Sequence, residues 1–487
     1  MYCGDETGAF IGDVASHVSR FGYGGNDSPS MVVPSFVGGT KSQQHLVSSC
    51  LRYRDHVRPI YRMNQEPQQQ QQQNGGPNVD PIHFLQQGDI VDDWDAYEHM
   101  WQASFTALHV RDSAQHSQGS PLTESSSLPL KDNIEHPLLA VIPGMTHIMG
   151  VGPSYDKAIQ RDQIVRHTEL MMEALNAQAI FVAPSPMLAA FAHGRQTCTI
   201  VDIGAGGTRV TPVVDGHILR HAQRRSGRGG DWLGHVAWKA MLEDGISVTP
   251  RYQLKQNTST SHTREQATTT ESALAFHQWS MRDVQYEFRT MCELVGLASY
   301  RTDAYTTPFL YADNRMDEDS ELKNNGKEPT YELPDGTLID LSTRIGKDLC
   351  RIPELLFTED VPMVEEESSL LDQHPTLSNA PLHKLIHAAL TAVGDVDARK
   401  ELVGNLVLTG SSSLFPKMEQ RLSYELSGIV TGNYKPRLLA SRNAVERTCS
   451  AWLGASVLTS LGSFQQLWLS KAEYEEYGAT LATQRFP

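Results

Sequence analysis

Apolar and polar positions alternate most legibly over Thr199–Leu219, TIVDIGAGGTRVTPVVDGHIL. Ile200, Val201 and Ile203 flank Asp202, a glycine-rich turn follows at 204–207, and a β-branched run resumes over Thr208–Val214 before an Asp215-Gly216 turn. β-Prone runs divided by glycine and Asp-Gly turns predict a β-meander. Phe10–Asp27, FIGDVASHVSRFGYGGND, is a fainter copy: an apolar run ending at Asp13, a small-residue turn at Ala15 and Ser16, a second run, then a glycine turn. Two Asp-bearing hairpins some 190 residues apart point to duplicated halves facing a cleft. Two short matches leave unrelated hairpins as the alternative. Helical periodicity predicts helices over 156–178 and 272–295, with Met171, Met172, Trp279 and Phe288 as core residues. In Leu402–Gly428 the run LVGNLVLTG is expected as a strand, GSSSLFP as a turn and KMEQRLSYELSG as a helix. Pro416 suits that helix's first turn and Gly428 its C-terminal cap.

The polar segments lie between these patterns. Gln65–Pro77 (QEPQQQQQQNGGP), Asp112–Glu135, Lys255–Ser272, Asp313–Glu328 and Asp360–Ala380 cannot pack a core and are expected as surface insertions in one scaffold. The 487 residues, 39% of them hydrophobic, suffice for a large core in two or more domains. Net charge is −16, without a dominant basic block, which argues against nucleic-acid binding through phosphate neutralisation. Six scattered cysteines form neither a CxxC pair nor zinc-ligand spacing and fit reduced thiols of the cytosol or nucleus. The acidic start lacks an apolar signal core, and the most apolar stretches, 179–192 and 451–469, are too short or too mixed to span a bilayer. A soluble intracellular protein is expected.

Candidate chemistry sits in the turns. Gly204, Gly206 and Gly207 leave backbone N–H groups uncovered, so an anion can approach closely. Asp202 can face a cation bound to that anion, since hard oxygen ligands suit magnesium. The Gly-Ser turn feeding the helix after 416 is a second anion-friendly element. His17, His193, His221 and His235 have no metal-ligand spacing and are expected to be structural or on the surface.

Together these stretches resemble actin. The likeness is carried by LVLTGSSSLFPKMEQRLSYEL and AVERTCSAWLGASVLTSLGSFQQLWLSKAEYEEYG near the C-terminus, YELPDGTLIDL and RIPELLF before them, and VDDWDAYEHMW, HPLLAVIP and FGYGGNDSPSMVVPSFVG earlier, all in order. The opening YCGDETGAFIGD is similar to that of nuclear actin-related proteins of subfamily four, partners of actin in chromatin-remodelling and histone-acetyltransferase complexes.

The resemblance implies an α/β actin-like fold, shared with heat-shock chaperones and sugar kinases: two duplicated lobes around a nucleotide cleft. Lobe one would span 1–194, lobe two 195–440, with 441–487 returning to lobe one. ATP or ADP with Mg²⁺ or Ca²⁺ would lie between them, the ion near Asp13 and Asp202 through water. By position, Asp13, Ser16 and Arg20 form the first phosphate hairpin, and Asp202, Gly204, Gly206 and Gly207 the second. Gly410, Ser411, Leu414 and Phe415 would face adenine, and Gly229 the ribose. Implied partners are actin and a large helical scaffold subunit, with histones besides, in the nucleus and secondarily the cytoplasm; neither a membrane nor a specific nucleic-acid sequence is implied.

The chain departs from actin where water would be oriented for attack. Ser185 stands for a Gln, Ala205 for an Asp and Arg209 for a His, which implies binding without significant hydrolysis. Ala15, Gln285, Tyr286 and Thr448 are further departures around the phosphates and adenine. The Gln-rich segment replacing actin's subunit-bridging loop, together with the insertions, implies that filaments do not form. A filament-forming ATPase is the alternative, and an actin-fold sugar kinase a third, disfavoured by the long C-terminal signature.

Overall fold

The computed structural model describes residues 8–35, 37–40, 43–47, 80–82, 85–86, 90–91, 93–116, 136–144, 153–243, 245–246, 330–332, 336–340, 352–358, 380–415, 418–430 and 434–486. Within them, two mixed sheets of six strands each repeat one plan. In the first, the hairpin Phe10–Val14 and Val18–Tyr23 is followed on one side by Met31–Pro34, antiparallel, and on the other by Leu138–Ile142 and Ala179–Pro184, both parallel. In the second, the hairpin Cys198–Ile203 and Thr208–Val214 has antiparallel Arg224–Ser226 on one side and parallel Leu406–Thr409 and Leu438–Leu439 on the other. The parallel strands are apolar on both faces, as strands covered on both sides must be. Phe10–Val14 and Leu138–Ile142 are buried throughout.

Each sheet carries its own large core. Phe10 anchors the first, with its ring 5.1 Å from Phe105 and 6.0 Å from Phe21. Trp101 lies so close over the hairpin that a Cβ at Gly12 would meet its ring at 2.3 Å, so Gly12 admits the ring beside Asp13. Trp452, Phe464, Trp468 and Phe486 also belong to this core, and Leu469–Ser470 closes its sheet against Ala179–Ile180. The C-terminal segment therefore packs with the first hairpin. The second core gathers Val201, Ile203, Leu233, Leu385, Ile386, Leu408 and Leu422.

Both hairpins and the meander form where the sequence places them. Other boundaries move. The strand expected over 402–410 is split: Val396–Gly404 is a helix, capped by Asp395, whose carboxylate accepts from the amides of Asp397 and Ala398, and the strand spans Leu406–Thr409. Gly428 lies inside the helix Met418–Ile429 and caps nothing, while Pro416 falls outside the described residues. The helix expected over 156–178 runs Pro153–Glu169 and ends in one π turn, Leu170–Ala174, which buries Met171 and Met172. Helix Trp94–His116 continues into the segment expected as a loop from Asp112, because His116 still lies within its helical turn. The helix expected over 272–295, the segments 65–77, 255–272 and 313–328, and Gln285 and Tyr286 lie outside the described residues.

Candidate functional site

The two hairpin turns face each other across an open cleft that encloses about 910 Å³, part of it solvent. One wall is Asp13–Val18 with Arg20, the other Asp202, Gly204–Gly206 and Arg209; Ser185, Thr409–Ser411, Thr448 and Ser450 complete the rim.

The same cross-strand geometry places an acid and a base on each wall. Asp13 lies opposite Arg20 in the first hairpin, and Arg20 Nη1 donates to Asp13 Oδ2 at 3.2 Å. Asp202 lies opposite Arg209 in the second, with 3.7 Å between Arg209 Nη1 and Asp202 Oδ2. Burial raises the Asp13 carboxyl above its ordinary value, with Arg20 working against it. Asp202 is pushed up to about 6 by burial, with the Asp13 charge adding and Arg20 and a hydrogen bond from Thr409 opposing. Burial and then the neighbouring Arg225 lower Arg209 to about 9. Burial pushes both carboxylates towards the neutral form, so a cation placed between them would favour their ionised form, in which they are hard oxygen donors.

The second turn is shaped from behind. Its carbonyls are drawn back into the lobe: Gly204 O accepts from the Gly230 amide at 2.9 Å, Ala205 O from the Asp231 amide at 3.0 Å, and Gly206 O from Arg225 Nη2 at 3.1 Å. Among the described residues, no acceptor meets the amides of Ala205 and Gly206, which line the cleft. Such a run of amides is an anion cradle. Gly410 supports it from the other side. Its φ is +88°, and a Cβ there would meet Ile203 O at 2.4 Å and Asp202 Oδ1 at 2.6 Å. The residues present therefore fit a phosphate chain with a divalent cation: amides for the anion, and two carboxylates that leave most of an octahedral shell to phosphate oxygens and water. Among the described residues no three His, Cys, Asp or Glu side chains gather as a metal cluster.

Of the residues singled out in the sequence, the structure brings Asp13, Ser16, Arg20, Asp202, Gly204, Gly206, Gly410 and Ser411 to the cleft. Gly207, Gly229, Leu414 and Phe415 are not among its lining residues. A Cβ at Gly229 would meet Gly207 N at 2.4 Å and Ala205 O at 2.6 Å, so Gly229 lets the strand–helix junction pack beneath the turn. Phe415 is buried in the second core. His17, expected as structural or on the surface, is buried on the cleft wall next to Ser16. The departures Ala15, Ser185, Ala205, Arg209 and Thr448 all line the cleft. Sequence reasoning missed Arg225 and Thr409. The signal for the first was the unassigned basic run RRSGRGG at 224–230.

Two sheets of one plan, each offering an Asp-bearing turn to a shared cleft, define the actin-like class of nucleotide-cleft proteins. The family described as Actin matches residues 4–487, and the chain belongs to that family. Over 508 aligned residues, covering 100% of both chains, it is 28% identical to actin-related protein 4 of Arabidopsis thaliana. It is also 28% identical to actin-related protein 4 of Oryza sativa subsp. indica over 100% of both chains. With the Emericella nidulans protein of that name it shares 28% over 99% of this chain and 97% of the relative. No described helix is long and apolar enough to cross a membrane.

Proposed function

We propose that this chain binds ATP or ADP with a divalent cation in the cleft, hydrolyses it negligibly, and serves as a scaffold subunit of nuclear chromatin-remodelling or histone-acetyltransferase assemblies, paired with actin on a helical region of a large partner. The observation that carries the binding reading is the pair of facing hairpins with Asp13 and Asp202 on opposite walls and the amides of Ala205 and Gly206 open to the space between. The full-length similarity to actin-related protein 4 supports the assembly reading. Ser185, Ala205 and Arg209 support retention of the nucleotide. Ser185 is shorter than the Gln of actin, and Ala205 offers no oxygen to a cation's water. Arg209 remains a cation beside Asp202, so it cannot take a proton from attacking water. Losing one orienting group costs about 10²–10⁴ in rate.

A single-turnover assay tests this. Labelled ATP loaded with magnesium, followed for hours after removal of excess, should be recovered as ATP. Phosphate release as fast as that of actin in the same buffer would overturn the non-catalytic reading and favour a filament-forming ATPase.

A further inference from the structure

The C-terminal segment is tied to the second wall of the cleft through Arg447. Cys449, Trp452 and Ala455 belong to the core of the first sheet, yet Arg447, at the end of helix Ala444–Thr448, is buried against the turn that follows strand Leu406–Thr409 of the second. Its Nε donates to Ser413 Oγ at 3.3 Å, Nη2 to Ser413 O at 2.8 Å, and Nη1 to Glu419 Oε1 at 3.0 Å. The Arg447 carbonyl accepts from the Gly410 amide at 3.0 Å. Ser413 Oγ extends the tie by donating to Gly410 O at 2.6 Å. Both polar groups of Gly410 are therefore held by Arg447, one directly and one through Ser413. A planar guanidinium is pre-organised for such a set of bonds, and less freedom is lost in making each one. What Gly410 bounds is Asp202. The Thr409 side chain hydrogen-bonds that carboxylate, and the two residues are register partners on adjacent parallel strands. Gly410 stands so near that a Cβ on it would meet Asp202 Oδ1 at 2.6 Å.

We propose that Arg447 is a positioning residue for the cation site: by tying the turn at 410–413 to the segment that enters the first core, it holds Thr409 and Gly410 against Asp202 and so aims that carboxylate at a divalent cation. Thr448 lines the cleft, whereas Arg447 is not among the lining residues and acts from behind the wall. Magnesium demands near-ideal octahedral geometry, so a ligand held off its line loses much of its value. Groups that orient a metal ligand from outside typically change metal affinity about 10–100-fold. The proposal rests on the nucleotide-and-cation reading above and adds to it a group that touches neither nucleotide nor cation.

The test is calorimetric titration of the full chain with ATP, once in magnesium and once in EDTA, which gives the factor by which the cation tightens binding. Wild type should show a factor of at least ~10. Arg447→Lys keeps the charge but not the fork, and should cut that factor about fivefold while affinity in EDTA stays within about twofold. Asp202→Asn should remove the factor, and Arg447→Lys should add nothing in that background, because it acts through the carboxylate. A structural role alone would weaken binding alike in magnesium and in EDTA and would add to Asp202→Asn. Either of those results, or an unchanged factor in Arg447→Lys, would overturn the proposal while leaving the nucleotide site standing. Wild type that binds no ATP, or binds it equally well in EDTA, would overturn the nucleotide-and-cation reading as well. If Arg447→Lys does not fold, Ser413→Ala decides: it cuts the link to the Gly410 carbonyl and should lower the factor, and an unchanged factor there overturns the proposal.

Discussion

His167 is buried against Trp94 and Tyr97, with Nδ1 2.6 Å from Gln163 O and Nε2 3.1 Å from the Tyr97 hydroxyl. A carbonyl only accepts, so Nδ1 carries the proton and Nε2 accepts from Tyr97, which is the neutral ring. Burial lowers the group from 6.5 to about 4, with the Gln163 bond opposing. The native state therefore binds fewer protons than the unfolded chain between those values. Stability from this site is full above about pH 6.5 and is lost as pH falls towards 4, by about 3 kcal/mol in all. Denaturant midpoints from pH 7 to 4.5 should fall more steeply for wild type than for His167→Gln. Parallel curves would show that His167 does not govern acid sensitivity here. At this scale the sequence exposed its glycines and acids readily, because a turn glycine and a lone Asp among apolar residues are local signals. The His167–Tyr97 pair joins positions 70 residues apart, and the Arg209–Arg225 rung depends on register, so neither is visible in spacing.

Helix Ser450–Thr459 crosses helix Ser185–Ala192 at Gly454, where an added Cβ would meet Leu188 O at 1.9 Å. The obstacle is backbone, which cannot swing aside as a side chain could. Gly454→Ala should therefore cost ~1–3 kcal/mol or more, as overpacking does. Gly428→Ala, inside a helix with open space around its Cα, should be neutral or stabilising. Thermal midpoints of the two variants should move in opposite directions, or Gly454→Ala alone should fall. Equal midpoints would show that the two helices can separate at little cost. Because both helices carry lining residues, Ser185 and Ser450 among them, the first variant should also loosen nucleotide binding. Elements with strict alternation were legible, as the two hairpins were. The boundary at 402–406 was not, because a helix end and a strand start are both apolar and run together as LVGNLVL. Asn405, at φ −134°, breaks them. An Asp at 395, whose carboxylate caps the helix, is the local signal that could have marked its start.

At the scale of the whole molecule, the cleft is walled by residues of both sheets and by Thr448, Ser450 and Ala451 of the C-terminal segment. The shared plan of the two sheets was only half visible in sequence: the Asp-turn-Arg spacing repeats, but the parallel strands Leu138–Ile142 and Leu406–Thr409 stand at very different distances from their hairpins. A ligand that touches both walls couples them, so ATP with magnesium should raise one cooperative transition, not the melting of one half. At 100 times the dissociation constant the gain is ~2.7 kcal/mol, a shift of a few degrees. Asp13→Asn and Asp202→Asn separate two arrangements. If the cation and phosphates bridge the cleft, each variant alone should remove most of the shift, since each wall supplies one carboxylate. If the ligand rests on the second turn only, Asp202→Asn should remove it and Asp13→Asn should leave it. Differential scanning calorimetry of the three proteins, with and without millimolar ATP and magnesium, distinguishes these outcomes. A wild-type transition that does not move, with no nucleotide released on denaturation, would mean that neither wall holds one.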